Sequence, residues 1–463
     1  MKRFIILLIL IFTLTGCGNV KEPEKTETPS ASPSTTPTAA VTPEATPKEI
    51  KIEDIAVNLV TDMSNGGFKK ALDNYTYDDS MKKALNEALL KNQIWGYFIQ
   101  SYGQFKEITG TLPSKAQGYD IVSVKTTFEN AKIYINVVFD SNKLIAGLNY
   151  APDPEDAANK VPDGVVETAV KFGKTDWELP GTLTTPVGDG PFPVVILVHG
   201  SGPNDRDETI GPNKPFRDIA WGLAQKGIAT LRYDKRTFVY GNKMAQLPDM
   251  TVNEETVDDA VLALKFLQSQ ARSEKTKIYI LGHSLGGMMM PRIAGLAPDA
   301  AGYVIMSGPV TPLDDIIVEQ TKYLSELDGT VTDQEKQSIQ STEAARDIIK
   351  SLKPDSNFTA AQLFNAPVSY WIDLNGYDPA EQAKSIEKPL LILQGERDYQ
   401  VTMKEFNLWK DALGNKNNVT FKSYEGLDHL YLYGTEKSNP QEYNVPGKVD
   451  SRAIDDISAW VLK

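Results

Sequence analysis

Tyr279-Ile280-Leu281-Gly282-His283-Ser284-Leu285-Gly286-Gly287 is the stretch that decides the fold. An apolar strand runs straight into Gly-x-Ser-x-Gly, and a helical pattern starts at once and continues from Leu285 to Ala297. That is the setting of a sharp strand-to-helix turn, in which a serine is held strained with its hydroxyl exposed. Gly282 and Gly286 leave room for so tight a turn. The motif alone is a weak signal. Set between strand and helix, it marks Ser284 as the candidate nucleophile.

Working outward from this turn, strands and helices alternate. Val165 to Val170 and Trp177 to Thr185 read as a leading antiparallel pair. Val194-Val195-Ile196-Leu197-Val198 is a continuous apolar run, as expected of a strand buried on both faces. Helix Lys214 to Lys226, strand Ile228 to Tyr233, helix Val257 to Gln270 and strand Lys277 to Leu281 lead up to Ser284. Strand Gly302 to Met306 follows it. After an interruption come strand Leu390 to Leu393, helix Lys404 to Leu413, strand Val419 to Tyr424 and helix Val449 to Leu462. Such alternation implies right-handed crossovers, a mostly parallel sheet and helices on both its faces. Helical periodicity at about 310–387 predicts a cap inserted into the sheet, where Tyr370, Trp371 and Leu374 either roof a pocket or pack the cap onto the core.

A serine nucleophile needs a base, and the base needs an orienting acid. The sequence has three histidines. His283 adjoins the serine across the turn and reads as a packing residue. His199 ends the Val194 strand and opens the turn His199-Gly200-Ser201-Gly202-Pro203. His429 lies just past the last strand and is the candidate base. Past the preceding strand, Gly395-Glu396-Arg397-Asp398 offers two carboxylates, and the Gly-x-x-Asp spacing favours Asp398. Asp428, beside His429, is a rival acid. An oxyanion needs two donors: the Leu285 N–H, at a helix start, and the Ser201 N–H, between glycines, are the candidates. The turn after His199 is too short for a phosphate-binding loop and lacks its lysine. Asn204-Asp205-Arg206-Asp207 reads either as a substrate contact or as a structural loop salt-bridged to Asp234 and Arg236.

These motifs resemble the α/β-hydrolase superfamily. Val198-His199-Gly200-Ser201-Gly202-Pro203-Asn204-Asp205-Arg206-Asp207, Leu231-Arg232-Tyr233-Asp234-Lys235-Arg236, Gly282-His283-Ser284-Leu285-Gly286-Gly287 and Gly395-Glu396-Arg397-Asp398 look like bacterial secreted esterases of the dienelactone-hydrolase-like and serine-aminopeptidase-like branch. The likeness spans residues 165–463. It implies an α/β fold, a serine carboxylesterase activity through an acyl-enzyme on Ser284, and no cofactor or metal. The superfamily also contains peptidases and acyltransferases, so fold alone does not choose the substrate. A binding protein with an inactive hydrolase fold is the reading from a different class.

The remaining chain sets the context. Lys2 and Arg3 precede the apolar run Phe4 to Phe12, too short to span a bilayer, and Leu14-Thr15-Gly16-Cys17 follows. This resembles a lipoprotein signal (1–17), with Cys17 carrying the lipid that holds the protein on the extracytoplasmic face of the membrane. Residues 18–48, rich in Pro, Thr and Ser, read as a disordered tether. Residues 49–150 read as helices followed by strands, a small α+β domain resembling cystatin- or NTF2-like modules. Within it, Met81 to Ile99 reads as one helix, and Tyr119 to Phe128, Lys132 to Phe139 and Lys143 to Tyr150 as strands, the last two joined by the turn Asp140-Ser141-Asn142. The formal net charge of -13 lacks the basic footprint of a nucleic-acid binder. The single cysteine excludes an intrachain disulfide and a Cys-ligated metal cluster. Oligomeric state is not legible.

Overall fold

The computed structural model describes residues 51–116, 119–153, 160–247 and 249–463. Cys17, the export signal and the tether lie outside the described residues. The chain divides into two compact units, a smaller N-terminal and a larger C-terminal one.

The N-terminal unit is α+β. Helix Ile52–Ser64 turns Ala56, Leu59, Val60 and Met63 inward, with the spacing of one helical face. It packs on an antiparallel sheet whose strands lie in chain order, β1 (Phe105–Ala116), β2 (Tyr119–Phe128), β3 (Lys132–Phe139) and β4 (Ile145–Pro152). Asp140 makes the β3–β4 turn, its carboxylate accepting the amides of Asn142 and Leu144 at 2.9 and 2.8 Å. Two expectations are corrected here. β1 escapes sequence reading because it is an edge strand, largely exposed and without apolar alternation, and it carries Gly110 and Pro113. The single helix expected over 81–99 is broken. Helix Asp79–Ala84 ends at an extended Leu85, and Asn86 restarts the chain by accepting the Leu89 amide at 2.9 Å. A π-helical stretch, Leu89–Trp95, then leads into helix Gly96–Tyr102.

The C-terminal unit is built on eight strands: β5 (Val165–Phe172), β6 (Leu179–Pro186), β7 (Phe192–Val198), β8 (Ala229–Tyr233), β9 (Ser273–His283), β10 (Gly302–Met306), β11 (Leu390–Gly395) and β12 (Val419–Tyr424). Their order in the sheet is β12-β11-β10-β9-β7-β8-β6-β5. β5 and β6 are antiparallel, β6 pairs antiparallel with β8, and the rest of the sheet is parallel. Alternate residues sort onto two faces. Val194, Ile196, Ile280, Ile305 and Ile392 join the cluster under helices Asp258–Ser269 and Met403–Leu413. Val195, Leu197, Leu281, Val304 and Leu391 join the cluster under helices Pro215–Ala224 and Ser451–Val461.

The strand order places the chemistry. The chain leaves β7 for β8 on one side and returns to β9 on the other. The carboxyl ends of β7 and β9 therefore open beside each other at a topological switch point. In register, Val198 pairs with Gly282, and Met306 pairs with both His283 and Leu393. The turns after β7, β9, β11 and β12 thus emerge along one edge. Between β10 and β11 the chain forms helices Leu313–Ser325, Asp333–Ser351, Val368–Asn375 and Pro379–Ala383. Tyr370, Trp371 and Leu374 are buried in the same apolar cluster as Ile280 and Ile305, and Trp371 Nε1 donates to the Leu363 carbonyl at 2.7 Å. All three pack this insertion onto the sheet.

Candidate active site

Ser284 sits at the end of β9 with φ 52° and ψ −115°, a backbone conformation that costs a non-glycine residue energy. The turn is tight enough that a Cβ on Gly286 would lie 2.5 Å from the Val198 carbonyl oxygen, and one on Gly282 would run into the Gly286 carbonyl. The Ser284 amide is tied to Met306 O at 2.9 Å, which fixes the strained residue to the neighbouring strand. Leu285 opens helix Leu285–Met288. As a first-turn residue its N–H has no acceptor within the helix.

Asp398 and His429 come together from separate loops. His429 Nδ1 lies 2.7 Å from Asp398 Oδ2, and both side chains are buried. The other carboxylate oxygen, Oδ1, accepts the amides of Gln400 and Val401 at 2.8 and 2.9 Å, and Gln394 Nε2 reaches Oδ2 at 3.2 Å. The two rival acids are placed differently. Glu396 accepts from the Ser423 hydroxyl at the end of β12. Asp428 folds its own loop, accepting the amides of Leu430 and Leu432 at 2.9 Å each. Burial pushes the Asp428 carboxyl up to about 7. Arg397 stitches the acid and histidine loops together: its amide donates to Leu427 O at 2.9 Å and its guanidinium pairs with Glu442 at 2.7 Å.

The turn after β7 abuts the serine, since a Cβ built on Gly200 would lie 3.1 Å from Ser284 Cβ and 3.6 Å from its Oγ. The amides flanking Ser201 are both committed to buried carboxylates. Gly200 N–H donates to Glu208 at 2.7 Å and Gly202 N–H to Glu255 at 3.1 Å. Each carboxylate has a buried basic partner. Lys235, 2% exposed, donates to Glu255 at 2.6 Å and to the Gly200 carbonyl at 2.7 Å. Glu208 Oε2 lies 2.9 Å from His283 Nδ1. Burial opposes charge on this second pair, yet the partners' mutual attraction prevails: His283 is held above its ordinary pKa and Glu208 below.

Glu208, Glu255 and Lys235 are site residues that sequence reasoning missed, and His283 is more than the packing residue it was read as. The sequence signal is Lys235 itself, which lies two residues past the carboxyl end of β8 within the motif Leu231 to Arg236. His199 turns its Nε2 to the Asp205 carbonyl at 2.9 Å, and burial pushes its pKa down to about 4, so it is a neutral structural residue. The Asn204–Asp207 loop is salt-bridged as the structural alternative supposed, with Arg206 gripping Asp234 at 2.7 Å. Arg236 is the exception, pairing with Asp259 instead.

Comparison with known proteins bears on the family. Residues 191–436 match the family described as "Serine aminopeptidase, S33", and residues 56–148 match one described as "Protein of unknown function (DUF3887)". The esterase EstD of Thermotoga maritima is 37% identical over 405 residues, covering 87% of this chain and 94% of that protein. A monoacylglycerol lipase of Mycolicibacterium smegmatis is 22% identical over 281 residues, 59% of this chain and 89% of its own. Among solved structures, Est1E from Butyrivibrio proteoclasticus aligns with 64% of this chain and 99% of its own at 17% identity and a TM-score of 0.42.

Proposed function

Because the chain belongs to the serine aminopeptidase S33 family of serine hydrolases, we propose that this esterase-type α/β-hydrolase works through a covalent acyl-enzyme on Ser284. The observation that carries the reading is the 2.7 Å bond between Asp398 and His429 at the edge where the strained serine emerges. Asp398 accepts a hydrogen bond from the His429 Nδ1–H, which keeps the ring proton on Nδ1 and leaves Nε2 unprotonated to take the proton of the Ser284 hydroxyl. The serine oxygen attacks the ester carbonyl, and the negative charge that develops is met by the amides of Leu285 and Ser201. His429 then returns its proton to the leaving alcohol. Water, activated by the same histidine, releases the acid and restores Ser284.

The substrates are small-molecule carboxylic esters, a reading supported by a full-length relative that is itself named an esterase. The family description favours a second reading, in which an aminoacyl amide is the substrate and the leaving group an amine. Parallel kcat/KM measurements on p-nitrophenyl esters and aminoacyl p-nitroanilides separate the two. The esterase reading expects the esters to be turned over far more efficiently, and the reverse order overturns it.

The proposed setting is the outer face of a membrane, with the enzyme held by lipid on Cys17 and lifted by the 18–48 tether. The support is the sequence alone: a basic start, a short apolar run and a single cysteine where a lipobox needs one. Two acyl chains on that residue suffice for stable attachment. Cys17→Ser should abolish detergent-dependent membrane recovery or block processing, and a processed Cys17→Ser protein that still partitions with membranes contradicts the assignment.

A further inference from the structure

The mechanism above leaves a buried acid–base pair unused. Glu208 is 2% exposed and His283 3% exposed, and neither belongs to the serine, acid and base set. Glu208 has a φ of 51°, unusual for a residue with a side chain. The loop before it is built to hold that conformation. Glu208 N–H bonds Asp205 O at 2.9 Å, while the Asp205 carboxylate accepts the amides of Asp207 and Thr209 at 3.1 and 2.9 Å. Arg206 is fastened to Asp234 on one side, and Asp207 to Arg232 on the other. A strained backbone braced so thoroughly, delivering a carboxylate inward, points to a task for that carboxylate.

Glu208 touches both halves of the catalytic apparatus. One oxygen accepts the Gly200 amide at 2.7 Å, in the turn that carries Ser201. The other lies 2.9 Å from His283 Nδ1. Across its ring, His283 Nε2 is 2.9 Å from the main-chain carbonyl of His429. A carbonyl can only accept, so the proton in that contact belongs to His283. The two imidazoles are also in contact, their planes tilted by 44° and their centroids 4.6 Å apart. The path runs from oxyanion turn to carboxylate to imidazole to the backbone of the catalytic base.

We propose that Glu208 and His283 act together as a positioning pair, setting the oxyanion turn and the His429 loop at one fixed spacing around Ser284. The inference rests on the acyl-enzyme reading, since it assigns the pair a purpose only if Ser201 and His429 serve that reaction. Both residues are buried, and neither is assigned a contact with substrate. Their effect is on the rate of acylation, because a misplacement of about 1 Å between reacting groups costs on the order of 100-fold.

The test is pre-steady-state acylation with p-nitrophenyl butyrate on the full chain, with active sites titrated by a fluorophosphonate. Glu208→Gln keeps an acceptor for the Gly200 amide but loses the charge, Glu208→Ala removes both, and His283→Phe keeps the ring and loses both nitrogens. The expected result is an acylation rate constant per titrated site lowered about tenfold in Glu208→Gln and up to about 100-fold in Glu208→Ala and His283→Phe. KM should be little changed. The Glu208→Gln/His283→Phe double variant should fall no further than the worse single one, because the two act as a unit. A merely structural role predicts fewer titratable sites, each with the wild-type rate constant. That result overturns the proposal, as do single-variant losses that multiply in the double variant. Failure of the acyl-enzyme reading shows itself separately, as undiminished turnover in Ser284→Ala.

Discussion

Replacing Asp398 by Asn changes one atom, and the hydrogen bonds around it determine what that atom does. The backbone amides of Gln400 and Val401 both point at Oδ1, so this position has to remain an acceptor. The asparagine carbonyl oxygen therefore stays there, and its NH2 takes the place of Oδ2, 2.7 Å from His429 Nδ1. Reversing the amide would set NH2 against two N–H donors. The chosen orientation sets the new NH2 against one donor, Gln394 Nε2, whose contact with the old Oδ2 is the longer one at 3.2 Å and which keeps its 2.7 Å bond to Val401 O. Facing an NH2, Nδ1 of His429 must become the acceptor, and the ring proton moves to Nε2. That tautomer cannot take a proton from Ser284. A wrong-tautomer lesion of this kind lowers kcat by about ten-thousand-fold, which corresponds to about 5 kcal/mol of barrier. Steady-state hydrolysis of p-nitrophenyl butyrate measures it, with thermal melting to show that the buried loop survives. An Asp398→Asn enzyme within tenfold of wild type would refute the assignment of the acid and the tautomer argument together.

The neighbouring acid should behave in the opposite way. Asp428→Asn keeps an acceptor for Leu430 and Leu432 and should leave kcat within about threefold. Because burial raises its folded-state pKa to about 7, above the unfolded value, Asp428 lowers stability progressively as pH rises from about 4 to about 7. The variant should therefore gain on wild type over that interval in urea titrations, and a constant difference counts against it. His199 works from the other side: its folded pKa of about 4 lies below the unfolded value, so stability is lost as pH falls from about 6.5 to about 4. His199→Gln should flatten that acid loss, and an unchanged slope would show that the residue is not buried neutral. Lys235→Met strands Glu255 without its cation and should cost about 3–5 kcal/mol in chemical denaturation. Adding Glu255→Gln should recover much of this, and no recovery would mean that the pair is not the source of the loss.

The parallel sheet was legible because strands buried on both faces are written as unbroken apolar runs, of which Val194 to Val198 is the clearest. Ser284 and Asp398 each follow such a run and His429 follows the mixed edge strand Val419 to Tyr424, so their place at one edge of the sheet could be read before any geometry. What stayed hidden has a common cause. Glu208, Glu255 and Lys235 look like ordinary solvated charges in sequence, and only the closing of the turn after β7 brings them from three separate segments onto its backbone, the carboxylates on the amides of Gly200 and Gly202 and the ammonium on the Gly200 carbonyl. β1 was hidden for the converse reason, because an exposed edge strand has no apolar face to announce it. The break at Leu85 and Asn86 was masked by leucines that keep a helical rhythm across a point where Asn86 caps a new turn.

Labelling with a fluorophosphonate, followed by peptide mapping, tests the central claim most directly. The account predicts one label per chain, carried by Ser284, with ester hydrolysis lost in step with labelling and both absent from Ser284→Ala. A label on another residue, or esterase activity that survives full modification of Ser284, would contradict it.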